Sequence, residues 1–198
     1  MKSVNTISSL VIFAVSTTSS VFAGGGDDSP SGSFLLLKGG TAQLSKDRQT
    51  VLGGQLSFDK NTPAYSFEWE GRRADGNTFA LEWMRYKHDY TALSTQGEMT
   101  TDLLMFNYKK YFNGLGSFRP LLGAGIGVGM NEMDGPIVGD GSGFAYQVIG
   151  GFEYRFTKHV GLYGEVKVIG NKNEDDFNTK IDSSAKVAFL GISILLGQ

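Results

Sequence analysis

The feature that most constrains the fold is a strict alternation of apolar residues with small or polar ones. In residues 117–131 every even position from Phe118 to Met130 is apolar, and four of the eight odd positions are glycine. Residues 143–156 repeat this alternation, with aromatic residues on one face and Glu153 and Arg155 on the other. A period of two residues is that of a β-strand. Because the polar face is also rich in glycine, the pattern is typical of a transmembrane barrel strand, apolar outward and polar inward.

The first 23 residues have the features of a secretory signal. Met1-Lys2 is a short positive start, residues 10–15 form an apolar run too short to span a bilayer as a helix, and Val21-Phe22-Ala23 fits a cleavage site. We therefore predict a signal peptide over residues 1–23 and a flexible leader over residues 24–32. The alternative for the first segment is an N-terminal membrane anchor.

The composition excludes several classes of protein. The chain has no cysteine, which excludes a lipid-anchored lipoprotein, disulfides and thiolate metal sites. Its formal net charge of −2 does not favour binding to nucleic acid, which requires a basic patch. The sequence has no run of about 18 apolar residues that would predict a transmembrane helix. A barrel strand, in contrast, needs an apolar residue only at every second position.

The alternation predicts eight spanning strands. They cover residues 33–44, 63–73, 77–89, 100–112, 117–131, 142–156, 160–171 and 184–196. Long connections (45–62, 90–99, 132–141 and 172–183) alternate with short ones (74–76, 113–116 and 157–159). Because outer-membrane barrels place their short turns in the periplasm, we predict an all-β, eight-stranded antiparallel up-and-down transmembrane barrel over residues 33–198 with both termini periplasmic. Residues 50–58 could be a further strand, and we interpret them as an extension or short hairpin within the first long connection.

The faces predicted to point inward collect nearly balanced charge. Six basic and five acidic residues fall on them: Lys38, Glu68, Glu70, Arg72, Glu82, Lys109, Arg119, Glu153, Arg155, Glu165 and Lys167. An eight-stranded barrel is barely wide enough for its own side chains, and buried charges are costly unless they are paired. We therefore predict a lumen charge network that fills the barrel. Two alternatives would use the same residues, namely a narrow gated water path and a catalytic pair of carboxylates.

Aromatic residues cluster at the ends of the faces predicted to point outward. The predicted girdle consists of Tyr65, Trp69, Phe79, Trp83, Phe112, Phe118, Phe144, Tyr146 and Phe156. Such rings are expected where a barrel meets the lipid headgroups, whereas the general preference of aromatic residues for strands explains their number but not their clustering. In the third strand the face of Phe79 and Trp83 also carries Arg85. We therefore expect an outward-facing arginine there, unless a β-bulge shifts the register.

Two segments carry a resemblance to a known family. The sequence FRPLLGAGIGVG from Phe118 and the sequence FAYQVIGGFEYRFTKHVGLYGEVK from Phe144 resemble the small outer-membrane β-barrels of Gram-negative bacteria, the family of the OmpA transmembrane domain. The resemblance covers residues 33–198 and is strongest over residues 117–170. It implies a barrel that the barrel-assembly machinery inserts among outer-membrane lipid and lipopolysaccharide. Such barrels include structural proteins, adhesins, narrow pores and lipid-modifying enzymes, and they usually end on an aromatic residue, unlike the Leu-Leu-Gly-Gln that ends this sequence.

The residues favour a non-enzymatic function within that family. Its lipid A deacylases use a histidine and a serine two residues apart on one strand, and neither His88 nor His159 has such a serine. We interpret His88, which precedes Asp89, as an interfacial polar residue. We predict no cofactor, no metal site and no nucleic-acid partner, and we expect surface loops that support envelope integrity or bind a host cell or another surface. A low-conductance pore and a lipid A-modifying hydrolase are the alternatives.

Overall fold

The computed structural model describes residues 31–45, 48–51, 54–59, 61–92, 95–112, 117–135, 139–175, 180–182 and 184–197. The predicted signal peptide and most of the predicted leader therefore lie outside the described residues. The strands are β1 (Gly32–Leu44), β2 (Arg48–Val51), β3 (Gly54–Phe58), β4 (Thr62–Arg72), β5 (Asn77–Ala92), β6 (Thr95–Tyr111), β7 (Phe118–Asp134), β8 (Gly139–Arg155), β9 (Val160–Asp175), β10 (Lys180–Asp182) and β11 (Ala185–Gly197). The described residues contain no helix long and apolar enough to cross a membrane.

Eight of the strands close into a single barrel. Each pairs antiparallel with the next in the order β1, β4, β5, β6, β7, β8, β9 and β11, and β11 pairs back with β1. The structure confirms the predicted all-β, eight-stranded antiparallel up-and-down barrel. A closed ring satisfies the backbone hydrogen bonds of every strand by pairing, which is the condition for a β-sheet to cross lipid.

The strands are strongly staggered around the ring. A path through successive cross-strand partners leaves β1 at Phe34 and returns to β1 at Leu44, ten residues further along the strand. It passes through one residue of each other strand: Glu70, Ala80, Asn107, Gly125, Gln147, Ile169 and Ala185. In a barrel of eight strands such a stagger corresponds to a strand tilt of about 40° and an interior just wide enough for side chains.

The two ends of the barrel differ. The near end carries the first residue of β1, the last residue of β11 and the turns at residues 73–76 and 156–159. At the opposite, far end, β2 and β3 form a hairpin, and β3 pairs with β5 at Phe58 and Tyr90, beyond the last β4–β5 pair of Ala64 and Tyr86. β10 likewise continues along β9 beyond β11. The barrel wall therefore extends past the eight-stranded ring at the far end.

Because of this extension, the connections that the sequence analysis predicted to be long consist in part of strands. Residues 90–99 and 132–141 belong mostly to strands, because β6, β7 and β8 each run for 17 residues. Residues 50–58 contribute to the β2–β3 hairpin and do not add a ninth crossing. A tilted strand of this length rises roughly 40 Å, compared with about 25 Å for the apolar band of an outer-membrane barrel. The tips at residues 52–53, 93–94, 136–138 and 176–179 lie outside the described residues.

The glycines on the inner face of β7 make room for side chains from β6. A Cβ on Gly125 would overlap the Oδ1 atom of Asn107 and would lie 3.1 Å from the carbonyl oxygen of Phe106. A Cβ on Gly127 would lie 2.8 Å from the sulfur of Met105. Side chains of β6 therefore pack directly on the backbone of β7, which explains why glycines alternate in this strand.

Candidate functional site

The structure places all eleven charged residues of the predicted network on the inner face of the barrel. Ten of them are buried, and the side chain of Arg155 is 10% exposed. They separate into two groups. The central cluster consists of Lys38, Lys109, Lys167, Glu68, Glu82 and Glu165, and the mouth cluster, nearer to the near end, consists of Arg72, Arg119, Arg155, Glu70 and Glu153.

In the central cluster three ammonium groups alternate with three carboxylates. The Nζ atom of Lys38 contacts Glu68 and lies 2.8 Å from Glu82 and 2.7 Å from Glu165. Lys167 contacts Glu82 at 2.5 Å and Glu165 at 3.0 Å. Lys109 contacts Glu68 at 2.6 Å and links this cluster to Glu70 at 3.0 Å. The charges balance three to three, and every one of these side chains is fully buried.

Glu82 is the centre of this arrangement. In addition to the two lysines, its carboxylate accepts hydrogen bonds from Ser66 Oγ at 2.6 Å and from Asn107 Nδ2 at 2.9 Å. Gln147 Nε2 donates a further hydrogen bond at 3.0 Å. Together with the two lysines, these donors lie on five strands besides β5, so one carboxylate joins widely separated parts of the wall.

The three carboxylates of the central cluster have a spacing that could hold a metal ion. One oxygen atom each of Glu68, Glu82 and Glu165 lies within 4.8 Å of the others. The ammonium group of Lys38 contacts all three carboxylates and occupies the position that a cation would take. The side chains present therefore fit a lysine and not a metal.

The mouth cluster is built around Arg72. Its Nη1 atom donates to both carboxylate oxygens of Glu153 at 2.9 and 2.8 Å, and its Nε atom donates to Glu70 at 2.6 Å. The guanidinium carbon lies 3.9 Å from the centre of the Phe34 ring. Tyr111 accepts a hydrogen bond from Arg72 Nη2 at 2.9 Å. Aromatic rings and guanidinium groups thus fill the interior at this level.

Beyond the central cluster, toward the far end, the interior is mainly apolar, with a few buried polar residues such as Thr101 and Asn131, which the rule of polar inside and apolar outside did not predict. Along β5 the inward residue after Glu82 is Met84, followed by Tyr86, and both are fully buried. The buried apolar cluster comprises Ala42, Leu44, Phe58, Ala64, Met84, Tyr86, Tyr90, Met99, Leu103, Met105, Met133, Ala145, Ile169, Ala185, Val187 and Phe189. The sequence contained a signal for it, because Leu103-Leu104-Met105-Phe106 is apolar on both faces of β6.

His88 also lies inside the barrel, so the interpretation of this residue as interfacial is wrong. It is fully buried, and its Nδ1 atom lies 3.2 Å from the backbone carbonyl oxygen of Asp59. Its ring meets the edge of the Tyr86 ring at a centroid distance of 5.7 Å. The inward direction follows from the continuous β5–β6 register, in which His88 shares a face with Glu82. His159, by contrast, is exposed in a near-end turn.

The outer face carries the nine aromatic residues of the predicted girdle, all of them exposed. Phe67 and Phe106 are exposed as well, so aromatic side chains are not confined to the two ends of the apolar surface. Tyr65 and Trp83 form a ring pair at a centroid distance of 5.9 Å.

Arg85 faces outward without a β-bulge, because the pairing of β5 with β6 is continuous. Asp102, its cross-strand partner, accepts two hydrogen bonds of 2.7 Å from the guanidinium group. The indole nitrogen of Trp83 donates to the same carboxylate at 3.1 Å. The outward arginine is therefore neutralised by an acidic residue on the next strand.

A cleft of about 390 Å³ opens at the far end between β3, β5 and β6. It is lined by Asp59, Asp89, Tyr90, Thr91, Gln96, Gly97 and Glu98. The carboxylate of Glu98 in its lining lies 2.7 Å from the ammonium group of Lys87, and both side chains are exposed.

Comparison with known proteins identifies the fold. No family model and no curated protein matches the chain. Among solved structures, the chain is similar to neisserial surface protein A, with 19% identity, a TM-score of 0.64 and coverage of 84% of this chain and 98% of that one. It is also similar to the outer-membrane protein OprG of Pseudomonas aeruginosa, with 15% identity, a TM-score of 0.60 and coverage of 85% and 98%. For the outer-membrane protein AlkL the values are 15% identity, a TM-score of 0.54 and coverage of 90% and 96%. The chain therefore has the fold of the small outer-membrane β-barrels.

Proposed function

We propose that this chain is a non-enzymatic integral protein of the bacterial outer membrane, which it crosses as a filled barrel. In this proposal the near end faces the periplasm, residues 1–23 are removed as a signal peptide, and the barrel-assembly machinery inserts the chain among lipid and lipopolysaccharide. The far end then stands at the cell surface, where its hairpins serve envelope integrity or adhesion to a host cell or another surface.

The burial of the lumen charges is the observation that carries the proposal. The side chains of Lys38, Glu82 and Lys167 are 0% exposed, whereas a water path along them would leave their polar atoms accessible. The apolar cluster adds a second barrier between the central cluster and the far end. A filled interior favours a role for the outer surface and the far-end hairpins over transport through the lumen.

The asymmetry of the two ends supports the proposed orientation. Outer-membrane barrels place short turns in the periplasm and longer extensions outside, and the turns at residues 73–76 and 156–159 are short. The extended wall at the far end would then project from the membrane. The name of one similar protein, neisserial surface protein A, agrees with a surface location.

Cysteine labelling on intact cells tests the orientation, because the chain has no cysteine of its own. Asp134 lies at the far end of β7 and Lys158 lies in a near-end turn, and both are exposed. We expect a membrane-impermeant maleimide to label Asp134→Cys on intact cells and Lys158→Cys only after lysis. Labelling of Lys158→Cys on intact cells would contradict the orientation.

Deleting residues 48–58, which contain β2 and β3, tests the role of the hairpins at the far end. Cells that produce this variant should bind less to host cells or abiotic surfaces, or should become more sensitive to detergent, than cells that produce Lys158→Cys as a matched control. Equal behaviour of the two strains in both assays would remove the proposed role of this hairpin.

Two measurements separate the alternatives. In planar bilayers the purified protein should give no discrete conductance steps, and regular steps would show a pore instead. The mass spectrum of lipid A should be the same in cells with and without the gene. The loss of an acyl chain that depends on the gene would identify a hydrolase.

A further inference from the structure

The end of β3 is attached to β5 beside a buried histidine. Phe58 of β3 is buried, and its ring packs against that of Tyr90 at a centroid distance of 5.9 Å. The next residue, Asp59, donates its backbone N–H to the carbonyl oxygen of Asp89 at 3.0 Å. The carbonyl oxygen of Asp59 lies 3.2 Å from the Nδ1 atom of His88. The imidazole of His88 therefore lies at the point where the β2–β3 hairpin joins the barrel wall.

The contact with Asp59 fixes which nitrogen of His88 carries the proton. A carbonyl oxygen can only accept a hydrogen bond, so this bond requires the proton on Nδ1. In the neutral ring, Nε2 is then the unprotonated nitrogen. Nε2 is buried and has no hydrogen-bond partner among the described residues. A proton added to Nε2 in this position would create a buried cationic donor without an acceptor, which is unfavourable.

The interior around His88 offers no buried anion to balance a positive charge. The charged groups that act on the ring are the carboxylates of Asp59 and Asp89, and both residues are exposed. Among the described residues, the strands at this level present side chains on the inner face that are neutral at pH 5 to 8: Phe58 of β3, Thr62 of β4, Tyr86 and Tyr90 of β5, Met99 of β6 and Met133 of β7. An imidazolium group would therefore reach a carboxylate only by leaving the interior.

This part of β5 projects beyond the apolar band, because Lys87 and Asp89, which flank His88, are exposed charged residues. Burial lowers the pKa of His88, and the contact with the Asp59 carbonyl and the two carboxylates offset only part of that effect. The closed far end is therefore most stable above the ordinary histidine pKa of about 6.5. It loses stability as the pH falls from that value toward the lowered pKa, because the opened state then binds the proton more strongly.

We propose that protonation of His88 releases the end of β3 from β5, so that acidification loosens the β2–β3 hairpin at the far end. In the released state the imidazolium group is hydrated and pairs with Asp59 or Asp89. The proton needs no path through the closed wall, because it binds once the hairpin opens and then stabilises the open state. This inference concerns the opening of the far end alone and does not depend on the orientation or the adhesive role proposed above.

Amide hydrogen exchange of the purified chain in detergent micelles tests the proposal. The reporter is the backbone N–H of Asp59, which bonds to the carbonyl oxygen of Asp89 across the joint. Its exchange rate at pH 7.5 and at pH 5.0 is divided by the intrinsic rate at each pH to give a protection factor. We expect this factor to fall at pH 5.0 by up to about 30-fold, the limit for an open state whose histidine has a pKa of about 6.5. Amides in the middle of β7 should keep their protection.

His88→Asn should abolish the dependence on pH, because asparagine keeps an N–H donor for the Asp59 carbonyl and does not titrate. His159→Gln is the matched control, because it removes the other histidine of the chain, which lies exposed in a near-end turn, and it should keep the full response. In that control His88 is the only histidine, and an NMR titration of its ring should give a pKa below 6.5.

The proposal is overturned if the protection of Asp59 in the wild-type chain does not fall relative to that of β7. It is also overturned if His88→Asn keeps the fall, or if the ring of His88 titrates at or above its ordinary pKa. The NMR measurement and the wild-type exchange require no change at His88, so they decide the question even where His88→Asn does not fold.

Discussion

Replacing Glu82 with glutamine removes the negative charge that balances two buried lysines. The ammonium group of Lys38 lies 2.8 Å from this carboxylate and that of Lys167 lies 2.5 Å from it. Glutamine has nearly the same size, so the substitution changes the charge without opening a cavity. The central cluster would then hold three cations against two anions in a region where every side chain is fully buried.

The expected cost follows from the partners that remain. Removing one member of a buried ion pair typically costs 3–5 kcal/mol, because an uncompensated charge is left behind. Lys38 keeps its contacts with Glu68 and Glu165, and Lys167 keeps Glu165 at 3.0 Å. These contacts reduce the cost of the unbalanced charge. We therefore expect the free energy of unfolding to fall by about 3 kcal/mol, at the low end of that range. That loss corresponds to roughly a 100-fold change in the folding equilibrium.

Urea unfolding of the purified chain in lipid vesicles measures this loss, and Glu98→Gln is the matched control. Glu98 contacts Lys87 at the far end with both side chains exposed, so the same chemical change should cost less than about 1 kcal/mol there. Combining Glu82→Gln with Lys167→Met restores the balance of charge and should recover part of the stability. The account of the lumen as an ion-paired filling would be refuted if Glu82→Gln lost no more stability than Glu98→Gln.

Two further predictions concern packing and pH. Gly125→Ala should destabilise the barrel by about 1–3 kcal/mol in the same unfolding assay, because the new Cβ would overlap Asn107. Gly39→Ala is the control, because Gly39 lies on the outer face and no atom is within 4 Å of the new Cβ. This variant should change the free energy of unfolding by less than about 0.5 kcal/mol. The pKa of Asp75 is lowered because its carboxylate accepts a hydrogen bond from the backbone N–H of Asn77. The ionised carboxylate therefore stabilises the folded state above the ordinary pKa of about 4, and this stabilisation is lost as the pH falls through the lowered pKa. Urea midpoints of wild type and Asp75→Ala should therefore converge on acidification to pH 2, and a constant difference from pH 7 to pH 2 would contradict this reasoning.

Which face each strand presents to the interior could be predicted from the sequence. In an uninterrupted strand, side chains alternate strictly, so a single assignment such as Trp83 outward fixes Glu82 inward for the whole element. β5 has no bulge, and the assignment holds over its full length. The same logic gave the direction of Arg85. Its compensation by Asp102 could not be predicted, because residues 90–99 were interpreted as a long connection, and pairing residues across a hairpin requires knowledge of where its strands end.

The partners within the lumen could not be predicted, because they depend on the stagger of the whole ring. Lys38 and Glu165 are 127 residues apart in sequence and lie on β1 and β9, which are not neighbouring strands. A stagger of ten residues sets which side chains of non-adjacent strands reach the same level. That number is a property of all eight pairings together. Alternation within one strand contains no information about it.

The apolar part of the interior does not follow the rule, taken from wider barrels, that inward-facing side chains are polar. In a water-filled barrel, inward side chains must be polar because they contact solvent. Here the inward side chains Met84, Leu103 and Met105 contact one another and not water, and each is fully buried. For a barrel this narrow, the interior behaves like the core of a soluble protein. Its composition is then set by packing, with charges tolerated only where partners surround them.

The central cluster and the buried apolar cluster together determine whether the lumen could open. Opening the central cluster would require an ammonium group to leave carboxylates on different strands, since Lys38 alone contacts residues of β4, β5 and β9. Displacing Lys38 would take one cation from three buried carboxylates at once and leave them with two lysines, Lys109 and Lys167, at a cost of several kcal/mol. The apolar cluster would have to become hydrated as well, because none of its members is charged. A continuous water path thus needs two independent and unfavourable rearrangements, which supports the proposed filled barrel over a gated pore.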